Sequence, residues 1–219
     1  MGKTIRRLSL LIILLAVGLL VWQMHAYSKK QALRSDALLY FEEEDYAKSI
    51  QYLEDGLNTQ CLLGGKIDRD MEAYLAESYF QRKDYEKARK LYHKLRRSDS
   101  NQSLYFLLEG ECYRQQDQYD QALDIFQEGW DHTRDTAFLS KICGIYIEQN
   151  EYEKALDYAR QGISDDGSSS SAELSYQLII IYERSQDYEK AYEVAKEYCD
   201  RYPEDEKAKK ELIFLSSRV

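Results

Sequence analysis

The chain has 219 residues, and its 39 Asp and Glu outnumber 30 Lys and Arg to give a formal net charge of −9. Residues 1–30 hold five cations and no acid, so the remainder has 25 cations against 39 acids, and this formal charge of −14 argues against nucleic acid as a partner. With one proline and ten glycines, the chain lacks the turn residues of a sandwich or barrel, and we predict an all-α fold.

The N-terminal segment is strongly apolar. No charged residue interrupts the run from Leu8 to Trp22, and a weaker apolar stretch continues to Tyr27. About twenty helical residues cover roughly 30 Å, the thickness of the hydrocarbon layer of a bilayer. Basic residues flank the run on both sides, and aromatic residues stand where interfacial anchors are expected. We therefore predict a basic leader and transmembrane signal anchor in residues 1–30, with the membrane segment at about 8–27.

A cleaved signal peptide is the competing interpretation of this segment. Such peptides end in an A-x-A pattern, whereas here Met24 stands two residues before Ala26. Retention as a single-pass anchor is therefore favoured over cleavage. Residues 28–34 leave little slack before the next predicted helix, so a continuous helix is expected there.

The side of the membrane that carries the body is predicted from charge. A short basic leader usually stays in the cytoplasm, which favours an extracytoplasmic body over a cytoplasmic one. The four cysteines argue the other way, because they form no C-x-x-C pair and unpaired thiols favour a reducing compartment. They are Cys61, Cys112, Cys143 and Cys199.

The rest of the chain repeats itself. Each repeat has a leading tyrosine, a small residue three positions later and a second tyrosine six positions earlier. The leading tyrosines, separated by 39, 34, 33 and 36 residues, are Tyr46, Tyr85, Tyr119, Tyr152 and Tyr188. The small residues are Ser49, Ala88, Ala122, Ala155 and Ala191, and the earlier tyrosines are Tyr40, Tyr79, Tyr113, Tyr146 and Tyr182. A pattern that recurs every 33 to 39 residues indicates stacked structural repeats.

Each repeat is predicted to be a pair of helices. Apolar residues recur every three or four positions on both sides of a polar turn, and the second stretch begins with an acid or amide suited to a helix N-terminus. The small residue lets the second helix approach the first. Three glycines ten residues after the leading tyrosine, Gly56, Gly129 and Gly162, predict a second close crossing. Longer loops are expected at 64–65 and 165–171.

This pattern resembles the tetratricopeptide repeat (TPR) family over about residues 34–203. The resemblance implies a right-handed helical-hairpin solenoid of about five repeats in residues 31–219, closed by a C-terminal capping helix at 204–216. The repeats are expected at about 34–60, 70–97, 103–131, 136–164 and 172–203.

No catalytic or metal-binding pattern is found. The three histidines are far apart, and no Cys, His or acid stands at ligand spacing from them. A nucleophile elbow, a Gly-rich phosphate loop and a zinc-protease helix are all missing from the sequence. We predict a protein that is not an enzyme and binds neither metal nor cofactor.

By resemblance, first helices of TPR arrays line a groove that binds protein or peptide segments. The family's groove positions correspond here to Asp70, Ala73, Tyr74, Glu77, Phe80, Leu107, Leu108, Glu111, Arg114, Ser140, Lys141, Gly144, Ile147, Glu148, Tyr176, Gln177, Ile180, Glu183 and Arg184. The partner-binding residues predicted from this set are Tyr74, Glu77, Phe80, Leu107, Glu111, Arg114, Lys141, Glu148, Tyr176, Ile180 and Arg184. The alternative for each is that it only packs against neighbouring helices.

The resulting functional prediction is a membrane-tethered scaffold or adaptor that docks a partner in the groove, as a chaperone-like factor or in envelope assembly. This last step rests on analogy with the family and not on residues. The alternative is a structural membrane protein that self-associates into homo-oligomers and has no dedicated peptide partner.

Overall fold

The computed structural model describes residues 2–98, 103–163 and 169–219. In these ranges the chain forms eleven α-helices and no strand. They are α1 Gly2–Glu42, α2 Tyr46–Asn58, α3 Gly65–Gln81, α4 Tyr85–Ser98, α5 Ser103–Arg114, α6 Tyr119–Thr133, α7 Ala137–Glu148, α8 Tyr152–Gly162, α9 Ser169–Arg184, α10 Tyr188–Arg201 and α11 Glu206–Ser216. The predicted all-α, TPR-like helical solenoid is confirmed.

The first helix joins the apolar segment to the first repeat without a break. α1 runs for 41 residues, as the short link at 28–34 predicted. From Leu10 onward it is long and apolar enough to cross a membrane, a test that a signal sequence near the N-terminus also passes. Its apolar side chains between Leu10 and Trp22 are exposed to solvent in the protein alone.

The helices form two compact units. Unit 1 comprises residues 1–98 and contains α1 to α4, while unit 2 comprises residues 99–219 and contains α5 to α11. In unit 1, α1 packs against both α2 and α3, and α3 packs against α4. In unit 2, each helix packs against the next along the chain, and α7 also packs against α9. Both units are therefore stacks of helical hairpins.

The small residue of each repeat lies where its two helices meet. All five of these residues are fully buried: Ser49, Ala88, Ala122, Ala155 and Ala191. In the first repeat the Ser49 hydroxyl is 3.4 Å from that of Ser78 in α3. The burial agrees with the prediction that these residues allow a close approach between helices, because a larger side chain would have no room.

The three predicted close-crossing glycines also face neighbouring side chains. A Cβ atom on Gly129 would lie 2.3 Å from the Phe138 ring, and one on Gly162 would lie 2.4 Å from Leu174. On Gly56 it would lie 2.0 Å from the Met71 methyl group. Each glycine in a second helix thus receives a side chain from the first helix of the following repeat, as predicted.

The turn inside each hairpin has one recurring geometry. After each first helix a single residue takes a left-handed backbone conformation with φ between 57° and 64°. The next residue donates its backbone N–H to the carbonyl of the repeat's earlier tyrosine at 2.8–3.0 Å, which is the Schellman ending of a helix. The left-handed residues are Glu44, Lys83, Asp117, Asn150 and Gln186.

Two helices begin earlier than the sequence predicted, because the predicted loops before them are partly helical in the structure. α3 starts at Gly65, ahead of position 70, with Gly64 as its N-cap. The Lys30 ammonium pairs with Asp68 in the first turn of α3, which stabilises this early start. α9 starts at Ser169, so only part of the predicted loop at 165–171 is non-helical; residues 165–168 lie outside the described ranges.

Candidate partner-binding face of unit 2

The three predicted binding residues of unit 1 all lie on α3. The Tyr74 ring packs edge-on against Phe41 at 5.4 Å between ring centroids, and Phe80 packs similarly against the ring of Tyr85 at 5.2 Å. Glu77 accepts a hydrogen bond from the Tyr92 hydroxyl at 2.8 Å. These contacts join neighbouring helices of unit 1, so all three side chains take part in packing there.

The predicted residues of unit 2 lie on α5, α7 and α9. A hydrogen bond between Arg114 and Glu148 joins α5 to α7, at 2.8 Å from Nη1 to Oε1. The Gln177 amide of α9 donates to the carbonyl oxygen of Ser140 in α7 at 3.2 Å. The first helices of three successive repeats therefore lie side by side, and their facing side chains form one surface.

Arg114 stands at the centre of the charged part of this surface. Its Nε and Nη2 donate to the two carboxylate oxygens of Glu111 at 3.0 and 2.6 Å, while Nη1 reaches Glu148. Burial of Glu111 opposes its ionisation, but the hydrogen bonds from Arg114 and Gln115 outweigh this effect, and the pKa of Glu111 falls below its usual value. The carboxylate is therefore ionised at neutral pH and holds the guanidinium in place.

A shallow pocket opens between these three helices. Its lining combines charged and small polar side chains: Arg114, Ser140, Lys141, Gly144, Glu148, Glu173 and Gln177. Lys141 has no ion-pair partner within 4 Å among the described residues. The Ser140 hydroxyl and the Gln177 carbonyl oxygen are buried and lack a hydrogen-bond partner there. A buried polar atom without a partner costs roughly 1–3 kcal/mol, so these two atoms are a local cost of packing α7 against α9.

The other predicted residues of unit 2 do not line this pocket, and most of them pack against neighbouring helices. Leu107 and Ile180 are half-buried and pack against separate hydrophobic clusters. Tyr176 packs against the Tyr198 ring at 5.7 Å, and the Lys207 ammonium lies 4.7 Å from the centroid of its ring. Arg184 is exposed. The structure thus brings together Glu111, Arg114, Lys141 and Glu148, and separates these four from the rest of the predicted set.

The wider set of groove positions already includes three of the other pocket residues, Ser140, Gly144 and Gln177. Ile147 from that set is 7% exposed and belongs to the core instead. Glu173 was missed. It lies four residues before Gln177, on the same face of α9, and this helical spacing is the signal that could have found it.

Metal-binding geometry is not found in this part of the molecule. Within residues 2–98, 103–163 and 169–219, no three His, Cys, Asp or Glu side chains are grouped so that they could hold a metal ion. All four cysteines are free thiols, and Cys143 donates to the carbonyl oxygen of Ala155 at 3.3 Å. The face of α5, α7 and α9 therefore offers hydrogen bonds and charges rather than metal ligands.

Comparison with protein families gives two matches along the chain. The model described as anaphase-promoting complex, cyclosome, subunit 3 matches residues 66–129, and a model of the tetratricopeptide repeat matches residues 145–206. None of the curated proteins matches the sequence. The matched segments contain the leading tyrosines of the second, third, fourth and fifth repeats.

Solved structures agree with these matches. A tetratricopeptide repeat protein from Parabacteroides merdae has a TM-score of 0.69 and 11% identity, over 86% of this chain and 72% of its own. The fold of this chain is therefore a TPR fold. MamA from Desulfovibrio magneticus has a TM-score of 0.64 and 14% identity, over 81% of this chain and 97% of its own. YrrB, a TPR protein described as having an unusual peptide-binding site, has a TM-score of 0.56 and 16% identity, over 80% of this chain and 88% of its own.

The family matches and the structures together support the TPR family. At identities of 11–16%, the structural relatives establish the fold alone. TPR proteins generally mediate protein–protein interaction, and the repeat is typically a non-enzymatic scaffold. The chemistry of the pocket in unit 2 must therefore be argued from its own residues.

Proposed function

We propose that this TPR protein is a membrane-tethered interaction scaffold that binds a segment of a partner protein on the face of α5, α7 and α9. The observation that carries the proposal is that side chains from three successive first helices converge on one pocket, where the Lys141 ammonium has no ion-pair partner within 4 Å among the residues that the structure describes. A bound peptide offers hydrogen bonds to the polar lining and a countercharge to this ammonium.

The chemistry of the pocket defines the segment it binds. The charged and amide groups that line the pocket donate to peptide carbonyls and accept from peptide N–H groups. Lys141 attracts an acidic side chain, while Glu148 and Glu173 oppose a second acid nearby. An extended segment with one acidic residue between neutral or basic neighbours meets these requirements.

Photo-crosslinking from the two helices of the fifth repeat tests this proposal. A photoreactive amino acid replaces either Glu173, which lines the pocket, or Glu193, another exposed glutamate, on α10. We expect the Glu173 probe to crosslink a specific partner. In the same background, Gln177→Ala or Lys141→Glu lowers the yield about tenfold, because roughly 1.4 kcal/mol of binding free energy is lost.

The matched control for the charge change is Lys196→Glu, because Lys196 is exposed on α10 and lies outside the pocket. Its yield stays at the wild-type level. Equal crosslinking from Glu173 and Glu193, or adducts indifferent to both pocket variants, would mean that the partner does not bind this face. A synthetic peptide from the crosslinked region then provides the affinity and its dependence on Lys141.

The tether is the second part of the proposal. Retention of α1 is supported by its contacts with the body: Gln23 accepts a hydrogen bond from the Leu62 backbone at 2.8 Å, and Ala26 is buried. Cleavage after Ala26 would remove Gln23 and cut a continuous helix. With the basic leader in the cytoplasm, the body stands on the extracytoplasmic side and takes part in an envelope process.

Protease accessibility in intact cells tests the side of the membrane. An extracytoplasmic body is digested by protease added outside, while a cytoplasmic control protein in the same cells stays intact. Protection of the body until the membrane is permeabilised would reverse the orientation.

Self-association remains the second candidate function, and one feature of α11 favours it. This last helix buries Leu215 but exposes Ile213 and Phe214, at 70% and 39%. An apolar pair left open at the end of a repeat stack is suited to contact with a second copy. If self-association is the function, the full chain in detergent shows a mass that rises with concentration. Ile213→Glu abolishes that rise, while Leu39→Glu, at an exposed leucine of α1, does not. A monomeric mass at every concentration would exclude this second function.

A further inference from the structure

The loop between α2 and α3 exposes two leucines side by side. Leu62 is 81% exposed, the largest value for any large hydrophobic side chain in the part of the chain that the structure describes, and Leu63 is 66% exposed. The loop, residues 59–64, is short and includes no charged residue. Two neighbouring exposed leucines at the tip of an ordered loop are suited to an apolar environment.

This loop is fixed to one position along α1. The Leu62 backbone N–H donates to the side-chain oxygen of Gln23 at 2.8 Å, and the Cys61 sulfur lies 4.0 Å from the Gln23 carbonyl oxygen. Gln23 is itself only 4% exposed. The loop tip therefore lies beside the helix at the residue that directly follows Trp22.

Gln23 also marks the end of the apolar segment. It is the first amide or charged side chain after the uncharged run from Leu8 to Trp22, and Tyr27 follows one turn later. Aromatic residues at the end of a membrane segment lie at the level of the lipid headgroups. A loop that is hydrogen-bonded to Gln23 lies at that same level.

The charges next to the loop are suited to anionic headgroups. Residues 29–34 of α1 and 65–70 of α3 together carry five cations and two acids, although the body as a whole has an excess of acids. Both acids are neutralised within unit 1, because Asp68 pairs with Lys30 and Asp70 pairs with Arg34. The exposed cations Lys29, Lys66 and Arg69 attract anionic lipid headgroups in the leaflet that faces the body.

We propose that Leu62 and Leu63 form a second membrane contact, inserted at the boundary between headgroups and acyl chains on the side that carries the body. The inference rests on the proposed anchor, since α1 brings the loop to the bilayer. Unit 1, which contains the first two repeats, then contacts the membrane at two places: through α1, which crosses it, and through the loop, which lies at its surface. Two contacts fix the orientation of unit 1 on the membrane, whereas α1 alone would allow unit 1 to rotate about the helix axis.

Quenching by brominated lipids tests the contact in the full chain. The protein is inserted into vesicles with or without phospholipids brominated in the upper part of the acyl chain, in a Trp22→Phe background. We expect the added emission of Leu62→Trp, and of Leu63→Trp as a second variant, to fall at least twofold with brominated lipid. Circular dichroism verifies that each variant keeps its helical content.

Leu39→Trp is the matched control. Leu39 is an exposed leucine on the same helix, 55% exposed, and it lies sixteen residues beyond Gln23, about 24 Å along the helix axis. Its added emission is expected to be the same with and without brominated lipid. Quenching of Leu39→Trp as strong as that of Leu62→Trp would show nonspecific contact and would contradict the proposal.

The native Trp22 separates failure of the loop contact from failure of the anchor. If Trp22 in the wild-type chain is quenched but Leu62→Trp and Leu63→Trp are not, the anchor stands and the loop contact is wrong. If Trp22 is not quenched, the anchor itself is wrong and the loop contact is wrong with it. A blue-shifted Leu62→Trp emission that brominated lipid leaves unchanged would identify protein, and not lipid, as the cover of this loop.

Discussion

Arg114 holds two carboxylates from neighbouring repeats, and its pairing with Glu111 depends on pH. Because hydrogen bonds lower the pKa of Glu111 in the folded protein below the reference value of 4.5, ionisation of this group stabilises the fold above about pH 4.5. This contribution is lost as the pH falls through the lower, folded-state pKa. We expect Glu111→Gln to lower the free energy of unfolding by about 1 kcal/mol at pH 7. The difference from wild type should shrink below pH 4.5.

The measurement is chemical denaturation of both proteins between pH 3 and 7, followed by the fluorescence of Trp130 in a Trp22→Phe background. Glu86→Gln is the control, because Glu86 pairs with Arg89 on the exposed surface of α4, where solvent screens the pair. Its effect should be smaller. A Glu111→Gln effect that persists unchanged at pH 3 would contradict this account of the Glu111 pKa.

Cys143 illustrates how burial controls the reactivity of a side chain. It is fully buried, and this burial, with a smaller effect from Glu173, raises the pKa of its thiol to about 12. The thiolate is the reactive form, so we expect no alkylation of Cys143 by iodoacetamide at pH 8.5 in the folded protein. The half-buried Cys61 should react first, and mass spectrometry of peptides measures both. Equal rates in the absence of denaturant would contradict the buried position of Cys143.

At the scale of the elements, close packing between repeats depends on glycine. Gly129→Ala places a methyl group within 2.3 Å of the Phe138 ring, so we expect a net loss of about 1–2 kcal/mol in the free energy of unfolding, even though alanine favours helix. Gly144→Ala is the matched control, because its nearest neighbour is 3.7 Å away. Gly144→Ala should instead raise the free energy of unfolding by up to about 1 kcal/mol, because alanine favours helix and meets no close neighbour. Chemical denaturation measures both, and equal effects would refute the close crossing.

The hairpin turn is a second feature of the elements with a measurable cost. Lys83 adopts φ 62°, a conformation that costs a residue with a side chain roughly 1–2 kcal/mol. Lys83→Gly removes this cost, but glycine has more conformational entropy in the unfolded chain, which disfavours folding by about 0.5–1 kcal/mol. We therefore expect the free energy of unfolding to rise by up to about 1 kcal/mol. Lys83→Ala shortens the side chain without relieving the backbone and should give no gain. The midpoint of thermal unfolding ranks the two variants, and the reverse order would exclude a strained turn.

At the scale of the whole molecule, the continuity of α1 predicts that the N-terminal segment is retained. A signal peptidase needs an extended segment at its cleavage site, whereas Gln23 and Ala26 lie in a helix and are buried. We expect the intact mass of protein extracted from membranes to be that of a chain that still contains residues 2–27. We also expect the protein to stay in the membrane during alkaline carbonate extraction. Leu14→Arg, a charge in the middle of the apolar run, should make the chain extractable. Recovery of a chain beginning at Tyr27 would show cleavage.

The periodic features of this protein could be read from the sequence because each depends on a local pattern. Ser49 and Ala155 recur three residues after a tyrosine, and both are buried between paired helices. The left-handed turn residues, in contrast, have no common residue type: a glutamate, a lysine and an asparagine occupy the same backbone conformation. Their position is set by the helix ending and not by local preference, so the sequence did not reveal it.

By itself, the sequence determined the helical repeat, the apolar N-terminal segment and the resemblance to TPR proteins, since all three follow from the spacing of residue types along one chain. Only the tertiary structure decided which groove positions meet. It joined Arg114 and Glu148 across two helices, used Tyr74 and Phe80 in packing, and held the Leu62 loop against Gln23. Apart from the contact of Phe80 with Tyr85, these contacts connect residues 33 to 39 positions apart, and all of them depend on how side chains from separate helices fit together. No periodicity along the chain encodes that fit.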